Sequence, residues 1–153
     1  MMKYVVTTLS FALLAGFMAH AQTKNSLVIS EARIFAPLKG TNATAGYGVL
    51  KNEGAKSVTV VIGNVDGFKA TELHETTEKD GKMKMSKVDK ITIDPQQSFE
   101  MKPGGHHIML FDATREIKEG VTLPVQLLVN GKKESYDFKV VPRVQKDEGH
   151  QHH

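Results

Sequence analysis

Beyond Gln22, apolar positions alternate with polar ones over short stretches, each stopped by Gly, Pro, Asn or Asp. A two-residue period of this kind belongs to half-buried β-strands. Residues 26–35 (SLVISEARIF) alternate and give way to a loop at Pro37. Residues 40–46 are small and polar and read as a turn. Strands are then expected at 47–51, 57–62 and 65–76, closed in turn by Asn52-Glu53-Gly54, by Gly63-Asn64, and by a polar run that ends at Asp80-Gly81. Asp-Gly favours the positive φ of a tight hairpin, and 83–85 is the short strand that returns from it. Residues 90–93, 98–101 and 106–111 alternate and are separated by Asp94-Pro95 and Pro103-Gly104-Gly105. The clearest hairpin joins 121–129 to 134–141 through Asn130-Gly131. Only 112–119 could form a turn or two of helix. Counted as eight or nine short strands with turns every eight to twelve residues, the pattern predicts an all-β Greek-key sandwich or barrel.

Composition narrows the function more than the fold. The sequence has 153 residues, with no cysteine and no tryptophan, but 7 Met and 7 His. Without cysteine it can build neither a disulfide framework nor the thiolate ligand of a blue-copper centre. The formal charge of +3 is small and evenly spread, and aromatic residues make up only 7%. Those values argue against a nucleic-acid surface. No GxSxG or HExxH pattern and no Ser-His-Asp order appears, so nothing points to an enzyme.

The first twenty-one residues read as a secretory signal peptide. Lys3 supplies the positive start, 9–19 is an apolar run too short for a membrane span, and Ala19-His20-Ala21 fits the small-x-small cleavage rule. The alternative is an N-terminal anchor or a buried first helix. Cleavage after Ala21 predicts an exported, periplasmic protein with no stable membrane insertion. It leaves one domain over 22–144 and a polar His-containing tail over 145–153.

Chemistry concentrates in the thirty-six residues from His74 to Met109. His74, Met85, His107 and Met109 are two imidazoles and two thioethers. Such a set is poor for hydrolysis and well suited to a soft d¹⁰ ion: thioether sulfur favours Cu(I) over Zn²⁺, Mg²⁺ or Ca²⁺. Side chains two apart on a strand share a face, so His107 and Met109 are neighbours. Ile108 and Leu110 then face the core, leaving His107 and Met109 on the more accessible side. By the same parity Leu73 faces inward and His74 outward. The Asp80-Gly81 turn can fold Met85 back towards His74. Singly, each residue has a plainer explanation, a Met as core filler or a His as a solvated side chain. The four together carry the case.

The spacing H-x₁₀-M-x₂₁-H-x-M, with the Glu72-Leu73-His74-Glu75 block, Met83-Lys84-Met85 and Lys102-Pro103-Gly104-Gly105 ahead of His107, resembles the periplasmic copper-A chaperone family, PCu(A)C. The resemblance covers about 26–142. It implies a cupredoxin-like β-sandwich that binds one Cu(I) through His74, Met85, His107 and Met109. It further implies delivery to a respiratory oxidase copper-site subunit, or to another copper chaperone, as acceptor. Met83 and His106 flank the ligands without an assigned role.

The chemistry expected is ligand exchange, with neutral thioethers passing Cu(I) downhill to a cysteine-containing acceptor. Copper buffering or tolerance uses the same site without a dedicated acceptor, and a structural sandwich without metal is the remaining alternative. In the tail, His150, His152 and His153 with Asp147 and Glu148 offer imidazoles and carboxylates, a set that suits Cu(II) at a second site. A solvated tail explains them equally well.

Overall fold

The computed structural model describes residues 26–143. The expected leader, its cleavage site and the His-containing tail lie outside the described residues. Ten strands follow one another: β1 (Leu27–Phe35), β2 (Ala43–Asn52), β3 (Val58–Val65), β4 (Phe68–Lys79), β5 (Lys82–Val88), β6 (Ile91–Ile93), β7 (Ser98–Met101), β8 (His106–Ala113), β9 (Thr122–Val129) and β10 (Lys132–Val141). Each corresponds to a stretch read as a strand, and the count reaches ten, above eight or nine, because even the short β6 and β7 find partners, on β3 and β2. The stretch 112–119 forms no helix. Asp112 and Ala113 finish β8, and a turn at 119–120 leads to β9.

Hydrogen-bonded neighbours run β5-β4-β8-β2-β1-β10-β9-β3-β6, with β7 beside β2. All pairings are antiparallel except β1 with β10. The path curls until β3 and β4, distant along it, touch. The result is the all-β sandwich that the alternation predicts, in the cupredoxin-like form that the resemblance implies. Its core follows from parity. On β9, Leu123, Val125, Leu127 and Val129 are buried while Thr122, Pro124 and Gln126 are exposed. Phe138 and Val140 of β10, Ile34 of β1, Leu50 of β2 and Leu110 of β8 complete the interior.

Turn chemistry sets two hairpins. Asp80 and Gly81 both have positive φ, 53° and 70°, and close β4 onto β5 with Lys79 opposite Lys82. Asn130 and Gly131, at 50° and 79°, do the same for β9 and β10. Two positive angles in succession match the twist of the flanking strands. Asn52 is fully buried and fully satisfied. Its amide donates to the carbonyls of Lys56 and Ile93, and its side-chain oxygen accepts from the Gly54 N–H.

One sequence expectation fails in a way that matters for the site. Residues 40–46, expected as a turn, include the first half of β2, where Ala43–Gly46 pair with β8. Ala45 lies opposite Met109 and Ala43 opposite Phe111. These small residues have little intrinsic strand preference. Their place is set by the bulky neighbours they accommodate, a tertiary override of propensity.

Candidate metal centre

β4, β5 and β8 lie side by side, and the register decides which side chains meet. His74 on β4 faces His107 on β8, and Glu72 faces Met109. On the other side of β4, Thr76 faces Met85 of β5. Residues 72, 74 and 76 share a face, as do 107 and 109, so all four sequence-selected side chains fall on one surface of this three-stranded segment. The two imidazole centroids are 6.1 Å apart. A cavity of about 430 Å³ opens over this face, with Met85, His107 and Met109 in its lining. His74 is not in that lining. It sits beside it, between the His107 ring and the Phe111 ring, the latter 6.2 Å away.

The local chain explains how β8 delivers its pair. Gly104, at φ 80°, lets the chain reverse tightly between β7 and β8. The Gly105 N–H donates to the Lys102 carbonyl and the Lys102 N–H to the His106 carbonyl. The Gly105 carbonyl then accepts two bonds, from the Thr76 N–H at 3.1 Å and from His107 Nδ1 at 3.0 Å. Nδ1 of His107 is thereby engaged by the main chain, which leaves Nε2 as the other ring nitrogen.

His74 is held the other way round. Its Nε2 donates to Glu72 Oε2 at 2.7 Å, while its Nδ1 is buried with no hydrogen-bond partner. A buried, unpartnered imidazole nitrogen loses its hydration without compensation. Its lone pair is available to a donor or a cation. Lys87 also donates to Glu72, at 3.0 Å. The bond from His74 and then that from Lys87 hold the Glu72 carboxyl below the usual carboxylate range. Among the described residues no three His, Cys, Asp or Glu side chains gather as a metal site.

Exposure differs from the sequence expectation at one position. His107, expected on the more accessible side, is only 5% exposed. Ile108 and Leu110 enter the core on one face of β8, and on the other the Tyr47 ring lies 6.3 Å from the His107 ring, beside the cavity. Met85, by contrast, is half exposed on β5.

Several cavity residues carried no sequence signal. Phe35 and Tyr47 meet edge to face at 5.4 Å, and Arg143 and Arg33 lie over their rings at 5.7 and 5.5 Å. Burial pushes the Tyr47 phenol up, against the opposing pull of Arg143 and then Arg33. Glu72 could have been found, since strand parity puts residue i−2 on the face of His74. Phe35, Tyr47 and Arg143 reach the site only through long-range pairing of β1, β2 and β10.

With this geometry, the comparisons with known proteins can be placed. The family model described as "Putative lipoprotein LpqE-like" matches residues 27–140. "Putative lipoprotein Lxx21020" of Leifsonia xyli subsp. xyli (strain CTCB07) is 29% identical over 112 residues, which cover 71% of this chain and 68% of the relative. Among solved structures, CuI-DR1885 from Deinococcus radiodurans superposes with a TM-score of 0.65 at 24% identity, covering 83% of this chain and 85% of that one. The copper-bound PCuAC domain from PmoF2 superposes with a TM-score of 0.63 at 19% identity, covering 77% and 94%. These structures share the fold, and the family match spans nearly all the described residues. The chain belongs to the LpqE-like lipoprotein family, which is the PCu(A)C family.

Proposed function

We propose that the protein is an exported copper chaperone. It binds one Cu(I) through His74 Nδ1, His107 Nε2 and the sulfurs of Met85 and Met109, and it hands the ion to respiratory oxidase copper centres outside the cytoplasm. The observation that carries this reading is the facing pair His74 and His107. Each imidazole has one nitrogen engaged by the protein, Nε2 of His74 by Glu72 and Nδ1 of His107 by Gly105. Partners on the second ring nitrogen fix the tautomer and orientation of a metal-binding imidazole. Two thioethers on the same face add the soft donors that select Cu(I). The printed names of the structural neighbours, one Cu(I)-loaded and one copper-bound, support the same cargo. The lipoprotein description of the family supports export.

Four neutral donors leave the complex with a net charge near that of the ion itself. A half-apolar surround formed by Phe111, Tyr47 and Phe35 suits such a low charge. The ligand shell leaves no open position for catalysis, so the reading is transport. Half-exposed Met85 gives an incoming acceptor ligand a sulfur to displace, which favours delivery over buffering.

Competition with a Cu(I) chelator tests the site. The full chain should take up one Cu(I), and His107→Ala or Met109→Ala should lower the affinity with the circular dichroism of the sandwich unchanged. Wild-type affinity in both variants would remove the site. Loss of tight binding on deleting the residues after Gln145 would move it to His150, His152 and His153. Loss of oxidase assembly on deletion of the gene, as against copper sensitivity, separates delivery from buffering.

A further inference from the structure

Two large apolar side chains stand far outside the core. Met83 is 62% exposed and Met85 50%, more than any other large hydrophobic residue among the described residues. Both belong to β5, two positions apart, and therefore share a face. A methionine usually earns its place by filling gaps in a core, and neither of these has a core to fill. β5 is also the terminal strand of the sheet order, so its outer side carries no neighbouring strand.

The register sets these sulfurs in line with the metal centre. From the hairpin tip inward, Met83 faces Glu78, Met85 faces Thr76, and His74 faces Lys87 on the same surface. His74 in turn faces His107. Exposure falls along the line, from 62% at Met83 through 50% at Met85 to 5% at His107.

We propose that Met83 is an outer thioether station for Cu(I), the point at which the ion is first captured and last released. The proposal rests on the metal-site reading above and adds a route to it. Same-face residues on a strand are separated by about 6.7 Å. The unbranched, freely rotating methionine side chain can close that gap to a shared ion. The ion stays Cu(I) throughout. Each move forms one Cu–S or Cu–N bond as the bond behind it breaks, and neither an electron nor a proton is transferred. Glu78, exposed and opposite Met83, places a negative charge at the mouth, where it attracts an arriving cation. Lys82 and Lys84 have the opposite parity and project from the other surface.

The test is stopped-flow capture of Cu(I) by the full copper-free chain from a bicinchoninate complex, with the equilibrium affinity measured alongside. Met83→Leu keeps the volume and removes the sulfur, and an exposed position leaves the fold unaffected. Capture should slow by on the order of tenfold, the effect of a barrier about 1.4 kcal/mol higher, while the equilibrium affinity stays at the wild-type value. An unchanged capture rate would overturn the proposal. So would an affinity loss as large as that of Met85→Leu, because Met83 would then be a resident ligand. Wild-type affinity in both Met85→Leu and His107→Ala would instead remove the underlying metal site, an outcome legible without the Met83 variant.

Discussion

At the scale of single residues, the site depends on which ring nitrogen each histidine keeps free. Glu72 performs this for His74, and its carboxylate also holds Lys87. Glu72→Gln weakens the acceptor at His74 Nε2, and the expected cost in Cu(I) affinity is about 10–100-fold, the usual effect of losing a group that orients a metal-binding imidazole. Chelator competition on the variant measures it. The same carboxylate gives the copper-free protein a pH dependence. Its folded pKa lies below the ordinary value, so its contribution is present above the unfolded carboxylate range and lost as pH falls through the folded value. The urea midpoints of wild type and Glu72→Gln should therefore differ at neutral pH and converge in acid. The effect is small, because the pair is partly solvated and screened. Copper binding has its own acid limit, because both histidines must be neutral to ligate. A Cu(I) titration repeated at falling pH should show a steady loss of affinity.

At the scale of elements, the β4–β5 hairpin is the exposed edge of the candidate site, carrying Met85 and Met83 on the terminal strand. Its turn needs a positive φ at Gly81, where an added Cβ would meet no atom within 4 Å. Gly81→Ala therefore costs only backbone strain, about 1–2 kcal/mol. That cost falls on the hairpin. Faster amide exchange along Lys82–Val88 than along β9, with a lower Cu(I) affinity, is the expected signature. Asn52 plays the corresponding part at the opposite end of β2, joining the turn after it to β6. Asn52→Ala strands the buried Ile93 carbonyl and removes the part-buried bonds to the Lys56 carbonyl and the Gly54 N–H, and it should lower stability by about 1–3 kcal/mol in denaturant melts.

For the whole molecule, the proposed metal centre lies on one face of β5, β4 and β8, and Leu73, Ile108 and Leu110 of β4 and β8 face the core from the other. Phe138 is fully buried, on a strand that contributes none of the four proposed ligands. Phe138→Ala should cost about 3–5 kcal/mol of folding stability. While the variant remains folded, its Cu(I) affinity should match that of wild type. A ligand variant should show the reverse pattern, with stability kept and affinity lost. Measuring both quantities on both variants separates the scaffold from its cargo.

The strands were legible in the sequence because their period is local. Leu123, Val125, Leu127 and Val129 had to share a face whatever surrounded them, and Asn130-Gly131 had to turn the chain. Local parity likewise placed His107 beside Met109, and the Asp80-Gly81 turn placed Met85 within reach of β4. The Ala43–Gly46 half of β2 was not legible. Small residues prefer no conformation strongly, and only the bulk of Met109 and Phe111 across the ladder gives them a strand to join. The burial of His107 was equally hidden, since parity says which way a side chain points and not what roofs it. Tyr47, from a strand far back in the chain, supplies the neighbouring ring. Sequence alone determined the alternation, the turns and the donor types, all consequences of covalent neighbours. The partner that engages one nitrogen of each imidazole is local too, since Glu72 and Gly105 each lie two residues before their histidine. Tertiary structure decided which donors face one another and how deep each lies, because both depend on strands that meet only after the chain has folded.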